Sequence, residues 1–96
     1  MNAAAFTVRT TPHYDRLSNK LHKSHRDFGA AEKSAAAILS QDPYNRTRGY
    51  HIKKLEAVAA GEGQYRLSLG RWRFRYDILG RVVLLSYCGL RREDTY

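Results

Sequence analysis

The segment that most constrains the fold of this chain is a strict alternation of apolar and polar residues between positions 71 and 78. The apolar positions are Trp72, Phe74, Tyr76 and Ile78, and the polar positions are Arg71, Arg73, Arg75 and Asp77. Successive side chains of a β-strand point to opposite faces of a sheet, whereas a helix repeats about every 3.6 residues. The alternation therefore predicts a strand with one apolar face and one arginine-rich face.

Two further strands are predicted on either side of this segment. Before it, three apolar residues between positions 65 and 69 alternate with polar ones, and after it residues 82–85 are apolar without interruption. An unbroken apolar run of this length is typical of a strand covered on both faces. Because Leu79-Gly80 is a tight-turn signal, we expect the three strands to form an antiparallel meander.

The N-terminal half has the patterns of a short strand and two helices. Residues 6–10 alternate like a strand, and Thr11-Pro12 is a helix-start signal because threonine caps and proline suits the first helical position. A polar break at residues 24–26 precedes Asp27, which can open a second helix with apolar residues three or four apart. Asp42-Pro43 ends that helix, since a residue before proline disfavours helical geometry.

This order of elements predicts an α+β fold, with the N-terminal strand and a helical hairpin packed on the apolar face of an antiparallel β-meander. A chain of 96 residues holds one modest core, so residues 1–96 are expected to form a single domain. No secretory signal and no apolar run of about 18 residues is present, and the single cysteine, Cys88, excludes an intrachain disulfide. We therefore expect a cytoplasmic protein with no membrane contact.

The charge of the chain predicts an anionic partner. Seventeen Lys and Arg residues stand against nine Asp and Glu residues, a net charge of +8. Such an excess favours nucleic acid or an acidic protein. No glycine-rich phosphate loop and no histidine-based metal motif is present, so neither a cofactor nor a metal is expected.

Several arginines are expected to converge on one sheet face. Arg66, Arg73 and Arg75 lie on neighbouring strands with a period of two, and Arg91 and Arg92 follow the last strand. Neighbouring strands lie about 5 Å apart, so these guanidinium groups repel each other unless an anion lies between them. Arginine pairs bidentately with phosphate, which points to a phosphate-binding surface. A solvated sheet face is the alternative that composition alone leaves open.

The chain resembles the RelE/ParE toxin superfamily along nearly its whole length. The segments that carry the resemblance are residues 42–45 (DPYN), 53–55 (KKL), 64–78 (QYRLSLGRWRFRYDI), 82–85 (VVLL) and 89–96 (GLRREDTY). The order and spacing of these segments, rather than any single motif, make the resemblance specific.

The resemblance implies a small α+β fold, in agreement with the strand and helix patterns. It also implies the toxin of a type II toxin-antitoxin system, a metal-independent endoribonuclease that cleaves mRNA in the ribosomal A site. In that reaction the ribose 2′-OH attacks the adjacent phosphate. The implied partners are mRNA on the ribosome, a cognate acidic antitoxin and, only through the antitoxin, operator DNA.

The resemblance also implies roles for individual residues. Those matching the catalytic positions are Arg66, Arg73, Arg91 and Tyr96. Those expected to bind RNA are Lys53, Lys54, Arg75 and Arg92. The chain departs from the family pattern at Leu90, where many relatives have His or Lys, and at Ser68, where some active members have a second basic residue.

These departures keep alternatives open. One is a ParE-like toxin that inhibits DNA gyrase without enzymatic activity, and another is a catalytically weakened toxin that acts as an antitoxin-bound co-repressor. Arginine and tyrosine are poor bases at neutral pH, so we expect slow cleavage of naked RNA and a need for the ribosome to position the 2′-OH.

Overall fold

The computed structural model describes residues 5–91. Its elements are β1 (Thr7–Thr10), α1 (Pro12–Ser24), α2 (Phe28–Gln41), β2 (His51–Lys54), β3 (Tyr65–Leu69), β4 (Trp72–Leu79) and β5 (Val82–Leu90). The strands form one sheet in the order β1-β5-β4-β3-β2, in which β1 is parallel to β5 and the other pairs are antiparallel. The predicted α+β architecture and the meander of the last three strands are confirmed.

The two helices begin in different ways. Thr11 Oγ1 accepts a hydrogen bond from the Tyr14 amide at 3.1 Å and Pro12 opens α1, as the capping signal predicts. Asp27 precedes α2 but makes no side-chain capping bond. Its carboxylate instead accepts hydrogen bonds from Arg71 and from Trp72 Nε1, and so ties the start of α2 to β4.

The core lies between the helices and one face of the sheet. Ile52, Leu67, Phe74 and Cys88 form one row of cross-strand partners on this face. Phe28 and Leu39 of α2 are fully buried against the sheet. Each buried side chain of this size stabilises the fold by about 1.5–3 kcal/mol. Burial also raises the pKa of Cys88 to about 12, so its thiol stays protonated.

Strand β2 was not predicted from the sequence, which indicated four strands rather than five. It has only four residues, and Ile52 is its one partly buried side chain. So short an edge strand shows too little alternation to be recognised before its partner, β3, is known. None of the helices between residues 5 and 91 has the length and apolar character needed to cross a membrane.

Candidate functional site

The sheet face that points away from the helices carries two polar rows. Cross-strand partners share a face, so pairing defines the rows. The first row is His51, Ser68, Arg73 and Gly89, and the second is Lys53, Arg66, Arg75 and Tyr87. Arginines from β3 and β4 therefore lie side by side, as the alternation predicts.

A hollow of about 630 Å³ opens on this face. Its lining residues are Tyr50, His51, Ile52, Lys53, Leu55, Arg66, Ser68, Arg73 and Arg91. Arg66 comes from β3, Arg73 from β4, and Arg91 follows β5. Arg66 and Arg91, which are 25 positions apart in the chain, thus line one open depression, which we call the arginine hollow.

The arginine hollow is strongly positive. Arg66, Arg73, Arg91 and Lys53 contribute four cationic side chains, and the described lining contains no aspartate or glutamate. Arg73 is held in place because its Nη1 donates to the carbonyls of Gly70 at 2.7 Å and Trp72 at 3.0 Å. Like charges gathered at a concave surface focus the potential and attract an anion.

A loop is bound to another part of the polar face. The Arg75 guanidinium donates to the carbonyl oxygens of Gly63 at 3.1 Å and Glu62 at 3.0 Å. Asp77, only 3% exposed, accepts hydrogen bonds from the amides of Gly63 at 2.8 Å and Gln64 at 3.1 Å. Both side chains are therefore used to hold the loop that joins β2 to β3.

A second connection fixes the rim of the hollow. The Asp42 carboxylate accepts hydrogen bonds from the amides of Arg46 and Thr47 and from the Thr47 hydroxyl. The Asn45 side chain then donates to the Tyr50 carbonyl at 2.9 Å and accepts from the Tyr50 amide at 3.1 Å. Because Tyr50 immediately precedes β2, these bonds determine where that strand begins.

The structure separates the predicted site residues into groups. Arg66, Arg73, Arg91 and Lys53 line the arginine hollow, whereas Arg75 lies on the same face under the loop. Lys54 lies on the opposite face, where its Nζ is 5.8 Å from the centre of the Tyr65 ring. Arg92 and Tyr96 lie outside the described residues.

Position 90 also lies away from the hollow. Leu90 pairs with Trp72 and packs against the core, on the helix side of the sheet. Its neighbour Gly89 lies on the polar face, and a Cβ there would overlap the Tyr87 hydroxyl. The absence of a side chain at Gly89 thus leaves room for the Tyr87 ring beside it.

Two lining residues, Tyr50 and His51, had no motif to reveal them. His51 is two positions from Lys53, so the period of a strand places both on one face. That signal becomes visible only once β2 is recognised as a strand.

A separate polar cluster joins the helices, away from the hollow. Glu32 accepts hydrogen bonds from Tyr14 Oη at 2.8 Å and Ser18 Oγ at 2.7 Å, and it lies 2.7 Å from His22 Nε2. Burial opposes ionisation of Glu32, but these bonds outweigh it and lower the pKa of the carboxyl. Within residues 5–91, no group of three or more His, Cys, Asp and Glu side chains is placed to hold a metal.

The chain is similar to known proteins in structure. No family model and no curated protein matches the sequence. The toxin-antitoxin complex RelBE2 from Mycobacterium tuberculosis matches with a TM-score of 0.68 and 26% identity, over 91% of this chain and 99% of that chain. The YoeB dimer from Staphylococcus aureus matches with a TM-score of 0.68 and 12% identity, over 93% and 100% of the two chains. YafQ from E. coli matches with a TM-score of 0.67 and 13% identity, over 90% and 93%.

Proposed function

We propose that this chain, which has the fold of the RelE-like toxin superfamily, is the toxin of a type II toxin-antitoxin system. We propose further that it is an endoribonuclease that cleaves mRNA on the ribosome. The observation that carries this proposal is the arginine hollow, where Arg66, Arg73 and Arg91 from separate parts of the sheet meet.

The proposed reaction is attack of a ribose 2′-OH on the adjacent phosphate. The phosphate gains negative charge as the 2′-oxygen approaches, and guanidinium groups placed in advance stabilise that charge. In this proposal Arg66, Arg73 and Arg91 contact the scissile phosphate, and Lys53 contacts a neighbouring one. Arg92 keeps the role in phosphate binding, and Tyr96 the role in base stacking or proton transfer, that the family resemblance implies.

We assign to the ribosome the alignment of the reacting atoms, which an open surface does not provide. The hollow is wide and open and binds phosphate by charge, which holds an RNA backbone without forcing one reactive conformation. In-line attack requires the 2′-oxygen, the phosphorus and the leaving oxygen to be aligned. We therefore propose that the ribosomal A site aligns the mRNA and that naked RNA is cleaved slowly.

The proposed antitoxin is an acidic protein that covers the same hollow. The cationic lining and the net charge of +8 favour a partner with Asp and Glu side chains at these positions. Such a partner would exclude RNA by occupying the phosphate positions. Contact with operator DNA would then be made through the antitoxin.

Expression in cells tests the proposed function. We expect the wild-type chain to arrest growth and primer extension on cellular mRNA to show cuts that follow the reading frame. Arg73→Ala is expected to abolish both effects, because it removes one phosphate ligand. Arg16→Ala is the matched control, since it removes the same charge from an exposed position on α1.

Two outcomes would contradict the proposal. Growth arrest with intact mRNA would point to a target such as DNA gyrase. Arrest that Arg73→Ala and Arg16→Ala weaken equally would show that overall charge, rather than the arginine hollow, is responsible.

A further inference from the structure

One histidine lies in the arginine hollow. His51 begins β2, is exposed, and shares the lining with Arg66, Arg73 and Arg91. The chain's other three histidines lie elsewhere: His22 contacts Glu32, His25 packs edge-on against Trp72, and His13 lies in the first turn of α1. Only His51 is therefore placed to meet a ligand in the hollow.

Proton exchange near neutral pH singles out the same residue. Lysine and tyrosine side chains ordinarily titrate near pH 10, and arginine stays protonated. An imidazole changes charge between about pH 5 and 8. The charged and titratable groups that line the hollow together with His51 are Tyr50, Lys53, Arg66, Arg73 and Arg91, and no carboxylate is among the described lining residues. Among its described lining residues, the hollow therefore offers several cationic groups suited to phosphate and one group that can accept a proton near neutral pH.

On the basis of the proposed function, we infer that His51 is the general base of RNA cleavage. A neutral imidazole nitrogen takes the proton of the ribose 2′-OH as the 2′-oxygen forms a bond to the adjacent phosphorus. The P–O5′ bond breaks, and the 5′-oxygen keeps the electron pair and takes a proton from water. The products are a 2′,3′-cyclic phosphate and a 5′-hydroxyl, and the imidazolium returns its proton to solvent.

The backbone around His51 holds it in a defined place. The two hydrogen bonds between the Asn45 side chain and the Tyr50 backbone fix the residue immediately before it. Pairing with Ser68 fixes His51 itself in the row that continues to Arg73. Ser68 has a short side chain, so little bulk separates the imidazole from the Arg73 side chain across the sheet. A base and a phosphate ligand in one row suit the 2′-OH and the phosphate that it attacks.

Single-turnover cleavage by the full chain, on ribosomes programmed with a defined mRNA, tests the inference. For the wild type we expect the rate to rise with pH between about 5 and 8 and then to level off, because only the neutral imidazole accepts a proton. His51→Gln is expected to be slower by about 10²-fold or more and to lose this pH dependence, while ribosome binding stays within a few-fold. His13→Gln is the matched control and is expected to behave like the wild type.

A smaller substitution gives an independent measurement. His51→Ala leaves space beside the 2′-OH, so added imidazole is expected to restore part of the lost rate. A merely structural role for His51 predicts no such restoration.

The outcomes distinguish failure of the His51 assignment from failure of the proposed function. If the wild type cleaves mRNA and His51→Gln cleaves at the same rate, the assignment of His51 is overturned and the proposed function stands. A slower His51→Gln that keeps the wild-type pH profile also overturns the assignment. If the wild type cleaves nothing on the ribosome, the proposed function and the assignment both fail.

Discussion

The polar face of the sheet has two halves that use arginine differently. In the arginine hollow, Arg66 and Arg73 line an open depression together with Arg91. In the other half, Arg75 is the cross-strand partner of Arg66 and lies two residues from Arg73, but it donates to two backbone carbonyls of the loop that joins β2 to β3. Both halves come from the same alternation, so the sequence period alone does not separate a binding arginine from a structural one.

The loop that joins β2 to β3 makes the difference. Gly63 and its neighbours bring carbonyl oxygens onto Arg75 and amide groups onto Asp77, so both charged side chains are satisfied inside the protein. The hollow instead gathers cations without a carboxylate among its described lining residues. Arg73 also donates to backbone carbonyls, but from its own strand and turn, whereas the carbonyls bound by Arg75 belong to the loop that joins β2 to β3. Arginines gathered around an opening attract an anion.

The largest effect is expected in the hollow. Arg66→Ala should slow single-turnover mRNA cleavage by about 10²–10³-fold, the usual consequence of losing one group that stabilises transition-state charge. Arg75→Ala should leave the cleavage rate within a few-fold and lower the free energy of unfolding by about 1 kcal/mol instead. Single-turnover rates compare cleavage by the two variants, and urea denaturation compares their free energies of unfolding. A fall in rate for Arg75→Ala as large as that for Arg66→Ala would support RNA binding by Arg75 and would break the proposed division of the face.

The next effect is expected under the loop. Asp77→Ala removes the acceptor of two amide hydrogen bonds in a largely buried place, and should lower the free energy of unfolding by about 2–3 kcal/mol. Asp77→Asn keeps one carbonyl oxygen and should cost about half as much. Chemical denaturation measures both. Equal stability of wild type and Asp77→Ala would show that the loop does not depend on this carboxylate.

A smaller effect is expected at Gly63. Its φ of +82° lies in the left-handed region, and a Cβ there would lie 3.0 Å from Arg75 Cβ and 3.1 Å from Ser86 Oγ. Gly63→Ala should therefore lower the free energy of unfolding by about 1–2 kcal/mol. Gly61→Ala is the matched control, since Gly61 also has positive φ but open space around it. If the two variants are equally stable, backbone conformation rather than close approach sets the cost.

The smallest effect concerns Arg71, an exposed arginine that does have a carboxylate partner. Hydrogen bonding to Arg71, opposed by partial burial, lowers the pKa of Asp27 from 3.8 to about 2. Because the folded-state pKa is depressed, the stabilisation is present above about pH 4 and is lost as pH falls through about 2. The stability difference between wild type and Asp27→Asn should therefore shrink over that range. A difference that is constant from neutral pH to about pH 2 would contradict this, and pH-dependent denaturation measures it.

The parts of the fold that the sequence predicts are those that depend on local sequence patterns. The alternation at residues 71–78 and the cap at Thr11 depend on neighbours in the chain, and both predict their elements correctly. Strand β2 escaped prediction because four residues contain too little pattern. The same omission hid His51, whose place beside Ser68 and Arg73 depends on pairing with a strand that begins 11 residues after β2 ends.

By itself, the sequence determined that a basic face and an apolar face lie on opposite sides of a meander, because side-chain direction in a strand follows from chain geometry. Tertiary structure decided which basic residues on that face line the arginine hollow. The loop before β3 binds Arg75 through its carbonyl oxygens, and the edge strand β2 brings His51 and Lys53 to Arg66 and Arg73. Both arrangements depend on contacts between segments distant in the chain, which no local period encodes.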